Sequence, residues 1–164
     1  DKANVLATSR LWRQTVNRLA ATENELTLEH LYVDNAAMQL ILRPEQFDVM
    51  LTDNLFGDII TDLGAMIQGG MGIAAGGNIN PEGVSMFEPI GGSAPKYTGQ
   101  NIINPLAAIC AGGMMLDTLG EEKAGRRVEA VVVKLLESGK LKSLDAGKMG
   151  MSTSEIGDWI AAYI

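Results

Sequence analysis

Thr52-Asp53-Asn54-Leu55-Phe56-Gly57-Asp58-Ile59-Ile60-Thr61-Asp62 joins a short apolar run, residues 47–51, to an apolar-periodic segment that continues through Leu63, Met66 and Ile67. The run reads as a buried strand and the segment as a helix. Thr52, Asp53 and Asn54 are each good helix-capping types. A helix that starts there sets Asp58 and Asp62 one turn apart on a single face, where two carboxylates repel by roughly 0.2 to 0.5 kcal/mol unless a cation joins them. Paired carboxylates on a rigid helix suit a hard divalent cation such as Mg2+ or Mn2+. The same spacing also describes two solvated acids on an outer face, and the pattern alone leaves both readings open.

Upstream, Leu6, Leu11, Trp12, Val16 and Leu19 have the spacing of an amphipathic helix to about Ala21, with Trp12 expected in the core. Lys2 and Asn4 stand at its head. Residues 26–33 alternate apolar with polar and read as a strand carrying His30, the only histidine. Its position fits a satisfied structural residue better than a catalytic one. Asp34-Asn35 is expected to cap a short helix over 36–42, which Pro44 stops.

Downstream, the helix runs out at Gly69-Gly70, and the segment through Gly92 is rich in glycine, as a hinge or a loop packed against a ligand would be. Pro81-Glu82-Gly83 is a turn signal, and residues 84–87 read as a short strand. Gly91-Gly92-Ser93-Ala94-Pro95 forms a loop whose N–H groups could meet phosphates, although an ordinary turn has the same composition and no GxGxxG fingerprint is present. Asn104-Pro105 opens an apolar helix to Leu119, flattened on one side by Ala107, Ala108, Ala111, Gly112 and Gly113. An amphipathic helix over 121–138 follows, ended by Gly139, and Ser152-Thr153-Ser154-Glu155 caps a last one.

The whole composition is that of a globular protein, 46% hydrophobic, with a net charge of −7 over 164 residues. A nucleic-acid partner needs a basic face and is not expected. The single cysteine, Cys110, cannot form an internal disulfide and fits a packing role in a reducing compartment. No apolar run approaches the length of a membrane span and no signal-peptide layout is present, so no membrane partner and a cytoplasmic location are expected. The nine methionines read as core and interface filling. Strand and helix alternate at first and then helices dominate, which predicts an α/β fold with an incomplete sheet. The chain begins at Asp1 without a methionine, as an excised piece of a longer protein would, and the missing strands are expected in an N-terminal part.

Four ordered motifs together resemble the metal-dependent decarboxylating dehydrogenases of 3-isopropylmalate, isocitrate, homoisocitrate and tartrate. They are Asp1-Lys2-Ala3-Asn4-Val5-Leu6, Tyr32-Val33-Asp34-Asn35-Ala36-Ala37-Met38-Gln39-Leu40, Asn54-Leu55-Phe56-Gly57-Asp58 with Asp62, and Phe87-Glu88-Pro89 leading into Gly92-Ser93-Ala94-Pro95. The similarity covers essentially the whole chain and corresponds to the C-terminal half of such an enzyme. The version of the Asp34 motif looks most like the 3-isopropylmalate branch. The alternatives within the family are the isocitrate, homoisocitrate and tartrate enzymes, and outside it a non-catalytic subunit homologue.

The resemblance implies a two-lobed fold, with residues 1–68 as the back part of a dimerising substrate lobe and 69–164 as the back part of a nucleotide lobe. It implies that Asp34, Asp58 and Asp62 hold Mg2+ or Mn2+, and that Lys2 is the catalytic lysine beside Asp34. Asn4 and Val5 would lie along the variable arm of a 2-hydroxy dicarboxylic acid substrate. Lys2 and Asp34 would come from the neighbouring subunit of a homodimer with shared active sites, and Met38, Leu40, Ile41, Leu63, Met66 and Ile67 would form its interface. The cofactor is expected at Gly92, Ser93, Ala94, Lys96, Tyr97 and Asn104. It would be NAD, with NADP admitted because Lys96-Tyr97 looks like the NADP-using isocitrate enzymes. Gly91 departs from the family by replacing a histidine. The chain by itself is expected to be inactive.

Overall fold

The computed structural model describes all 164 residues. The chain divides into two compact units, Asp1–Gly64 and Ala65–Ile164.

The first unit holds α1 (Ala7–Ala20), α2 (Val33–Leu42), a 3-10 turn at Pro44–Gln46 and most of α3 (Asn54–Ile67). Of the three candidate caps before α3, Asp53 does the capping. Its carboxylate accepts the Phe56 N–H at 2.9 Å and its carbonyl accepts the Gly57 N–H. The helix over 36–42 begins earlier than its sequence pattern implies, at Val33, which puts Asp34 and Asn35 in the first turn instead of ahead of it. There the Asp34 carboxylate meets the positive end of the helix dipole.

Two expected strands, 26–33 and 47–51, do not form. A strand exists through its ladder, and this unit offers neither segment a partner, so Leu26 and Val49 stay exposed. Trp12 is half-buried, not a core residue. The three helices approach one another only loosely, α2 lying nearest the 3-10 turn while its Leu40 side chain reaches toward Gly64 of α3. Ala36 and Ile60 are the unit's only buried hydrophobic residues, while Met38, Ile41, Leu55 and Ile59 face outward.

The second unit has the hydrophobic core. β1 (Ala75–Asn78) and β2 (Met86–Pro89) pair antiparallel, Ala75 opposite Pro89 and Asn78 opposite Met86. The strand expected at 84–87 is thus displaced by two residues, and Val84 is almost wholly exposed ahead of it. β1, Ala-Gly-Gly-Asn, carries no strand propensity of its own and is held by its pairing. α4 (Leu106–Thr118) lies against both strands and against α5 (Glu122–Glu137), and α6 (Thr153–Tyr163) packs on α5. Leu106, Val131, Val132, Leu135, Met149, Ile156 and Ile160 make one buried cluster.

Pro105 precedes α4 instead of opening it, and the Asn104 side chain accepts the Leu106 N–H at 3.0 Å. α6 starts with a complete capping box, Ser152 and Glu155 each satisfying the other's backbone N–H. No helix is long and apolar enough to cross a membrane.

Candidate active site

Lys2 and Asp34 are brought together by the chain segments that carry them. The Val33 N–H donates to the Asp1 carbonyl at 2.8 Å, which lays the start of the chain along the entry to α2. From there the Lys2 Nζ donates to Asp34 Oδ1 at 2.5 Å. The lysine side chain is 24% exposed and the carboxylate 65%. The hydrogen bond from the Lys2 ammonium holds the Asp34 carboxyl below the usual carboxylate range. Asn4 and Val5 follow on an exposed turn before α1, with Val5 unpartnered by any core residue and the Asn4 side chain making no hydrogen bond.

Asp58 and Asp62 project from α3, as their spacing requires. Asp58 accepts a hydrogen bond from the Asn54 side chain at 3.1 Å. Both acids are exposed, and neither is paired with a lysine or arginine. They are therefore oxygen donors with uncompensated charge, of the kind a hard cation takes. Within one chain no group of three acidic, histidine or cysteine side chains converges, so Asp34 does not complete a set with them. The donors fit a divalent metal in chemistry, two from α3 and one beside Lys2, but a single chain does not gather all three.

In the second unit the expected cofactor loop has an unusual backbone. Gly92 and Ala94 both adopt left-handed conformations, φ 67° and 40°. For alanine that is strained by about 1 kcal/mol or more. Ala94 then caps a 3-10 turn at Pro95–Tyr97. The N–H groups of Ser93 and Ala94 have no acceptor in the chain, and alternating backbone hands of this kind form an anion-binding concavity.

The Lys96 ammonium lies 4.7 Å from the Tyr97 ring centroid, exposed and without an ion pair. Asn104, by contrast, is 8% exposed, and its side chain is spent on the Leu144 carbonyl and the Leu106 N–H. A side chain at Gly91 would meet nothing closer than the Met71 carbonyl at 3.7 Å, so space does not require glycine there.

His30 Nε2 donates to Asn17 Oδ1 at 2.7 Å, and burial, then the Arg13 charge, holds its pKa below the ordinary value. Burial raises the Cys110 thiol, as a packed cysteine requires. Arg13, whose Nε donates to Asp1 at 2.7 Å, has no sequence signature, and Tyr32, whose ring lies 4.7 Å from the Arg13 guanidinium and 5.6 Å from the Lys2 ammonium, stands in the Asp34 motif without a role assigned from it. An arginine inside an amphipathic helix looks like any solvated cation until the fold shows what lies opposite.

Residues 1–160 match the isocitrate/isopropylmalate dehydrogenase family. The chain is 54% identical, over its whole length, to 46% of the 3-isopropylmalate dehydrogenase of Photobacterium profundum, and 50% identical to the same share of that of Aliivibrio fischeri. The chain thus spans about half the length of the curated relatives it matches. Among solved structures, the isocitrate dehydrogenase of Methylococcus capsulatus superposes with a TM-score of 0.89 at 38% identity, over 99% of this chain and 48% of that one. A beta-decarboxylating dehydrogenase of Thermococcus kodakarensis superposes at 0.83 with 34% identity, over 99% and 47%.

Proposed function

The chain belongs to the isocitrate/isopropylmalate dehydrogenase family, and from that premise we propose that it is the back half of a 3-isopropylmalate dehydrogenase. The observation that carries the catalytic reading is the Lys2 ammonium resting on Asp34, in a chain that also presents Asp58 and Asp62 uncompensated on α3. The relatives at 46–54% identity are named for the 3-isopropylmalate reaction, which favours that substrate over isocitrate.

The reaction removes a hydride from C2 of the hydroxy acid and a proton from its hydroxyl, then releases CO2 from the carboxylate beta to the new ketone. A divalent cation, when held, supplies Lewis acidity toward the substrate oxygens. Asp34, Asp58 and Asp62 would hold it. Lys2, once its ammonium proton has passed to water, takes the hydroxyl proton as the neutral amine, directly or through water, from its place beside Asp34. Val5 offers an exposed apolar surface for an isopropyl arm, and Asn4 a free amide beside it. A nicotinamide cofactor, when bound, would supply the hydride acceptor. The Ser93 and Ala94 N–H groups receive its phosphates, with Gly92 supplying the turn.

The same reading assigns residues 1–68 to a substrate lobe and 69–164 to a nucleotide lobe. It also calls for a homodimer. One chain does not converge its three acids, and the first unit leaves Met38 and Ile41 of α2 and Leu55 and Ile59 of α3 exposed, apolar surface of the kind obligate interfaces bury. Lys2 and Asp34 of one subunit would then complete the Asp58 and Asp62 pair of the other, and the chain alone would be inactive. Lys96 supports a second cofactor: an exposed cation stacked on Tyr97 favours the 2′-phosphate of NADP over NAD.

The test is NAD(P)H formation by the full-length protein with Mn2+ or Mg2+ on 3-isopropylmalate, isocitrate, homoisocitrate and tartrate, with Asp58→Asn alongside. Turnover of 3-isopropylmalate that needs metal and collapses in the variant supports the assignment. Preference for isocitrate moves the chain to that branch, and no metal-dependent turnover at all makes it a non-catalytic homologue.

A further inference from the structure

Lysine is a point charge on a flexible four-carbon stem, so a lysine that must take up a proton at one atom has to be held there by its neighbours. Around Lys2 the neighbours form a row of alternating charge. The Asp1 side chain is 6% exposed, and both its carboxylate oxygens are hydrogen-bonded. One carboxylate oxygen receives the Arg13 Nε at 2.7 Å and the other the Ala3 N–H at 2.7 Å, while the Asp1 carbonyl receives the Val33 N–H. Asp1 therefore grips both backbone segments that flank the Lys2–Asp34 pair.

Arg13, reaching over from α1, is the cation that keeps this buried carboxylate paired. Its guanidinium also lies on the Tyr32 ring, the ring that faces the Lys2 ammonium. Two cations on one ring repel, yet each is tied to its own carboxylate, Arg13 to Asp1 and Lys2 to Asp34. Arg13 makes no ion pair with Asp34 itself, so its influence on that site passes through Asp1 and Tyr32.

We propose that Arg13 is a positioning residue for the reaction: anchored to buried Asp1 and lodged on the Tyr32 ring, it fixes the ring and backbone that hold the Lys2 ammonium at Asp34. This rests on the assignment of Lys2 as the proton-transfer group.

The experiment uses the full-length enzyme, saturated with Mn2+ and cofactor, and compares Arg13→Gln, Arg13→Lys, Lys2→Ala and the Arg13→Gln/Lys2→Ala double variant on 3-isopropylmalate. Arg13→Gln should lower kcat about ten- to hundredfold with KM for the hydroxy acid within about twofold, because a displacement of about 1 Å has that effect on chemistry and little on binding. Arg13→Lys, which keeps the charge on Asp1 and on the ring, should recover most of the loss. In the Lys2→Ala background Arg13→Gln should change the residual rate by less than about twofold, since the group it positions is gone.

A merely structural arginine would impose the same loss with or without Lys2, and that result overturns the proposal, as does an unchanged kcat in Arg13→Gln. Should Arg13→Gln fail to fold, Tyr32→Leu, at a side chain already 37% exposed, carries the same comparison, and an unchanged kcat there overturns it. Full turnover by Lys2→Ala would instead bring down the functional assignment of the lysine.

Discussion

The Lys2 ammonium donates to the Asp34 carboxylate across 2.5 Å, although 32 positions separate the two residues. Under the proposed function the two have separate roles, proton transfer and metal binding, and their removal should have different kinetic signatures. Lys2→Ala is expected to lower kcat by about 10² to 10⁴, the usual worth of a positioned proton-transfer group, with the metal requirement unchanged. Asp34→Asn should instead raise the Mn2+ concentration needed for half-maximal rate. Steady-state kinetics over a metal titration separates the two.

Asp58 and Asp62 carry no compensating cation in the chain. Removing either charge should weaken Mn2+ binding by about tenfold to hundredfold or more, the scale seen even for groups one shell further out. It should also slightly stabilise metal-free α3, because like charges one turn apart repel. Calorimetric metal titration of Asp58→Asn and Asp62→Asn tests the first effect, and thermal unfolding after chelation tests the second. Unchanged metal affinity in both variants would return these residues to the status of solvated acids.

Lys96 is exposed, unpaired and stacked on Tyr97. A charge-assisted contact to a phosphate is worth about 1.5–3 kcal/mol, so Lys96→Asp should shift the NADP-to-NAD ratio of kcat/KM by at least about tenfold toward NAD. A strong NAD preference that survives the substitution unchanged would remove Lys96 from cofactor recognition.

Leu135 of α5 is fully buried among Leu106, Ile156 and Ile160. Leu135→Ala should destabilise the second unit by about 2–5 kcal/mol, from lost transfer energy plus the cavity left behind. Urea unfolding followed by the fluorescence of Trp159, which packs on this cluster, reads it directly.

The Glu155 carboxylate accepts the Ser152 N–H and then its hydroxyl, and these bonds hold its pKa below the ordinary glutamate value. A depressed carboxylate stabilises the fold above its unfolded pKa of about 4.3 and loses that contribution as pH falls through the folded value. Glu155→Gln cannot titrate. The stability gap between wild type and this variant should therefore narrow from pH 7 to pH 3 in urea titrations, and a gap constant across that range would contradict the capping role.

What was legible in the sequence follows physical range. The α3 helix, the Asp58 and Asp62 face, the α6 capping box and the glycine stop after α5 depend on residues within about four positions of one another, and periodicity and cap chemistry report such neighbours directly. The family was legible for a related reason, since each motif is short and their order is preserved. The strands were not. Residues 26–33 and 47–51 have strand composition but find no partner, whereas Ala75–Asn78 lacks that composition and pairs with β2, because a ladder is a property of two segments and not of one.

Tertiary structure alone decided that Asp1 is buried, that Arg13 of α1 neutralises it, and that the Tyr32 ring lies beside both Arg13 and Lys2. Those contacts join positions 1, 13 and 32 through space. No local pattern encodes them, since each residue taken singly is an ordinary charge or an ordinary aromatic, and only the folded backbone brings them within reach of one another.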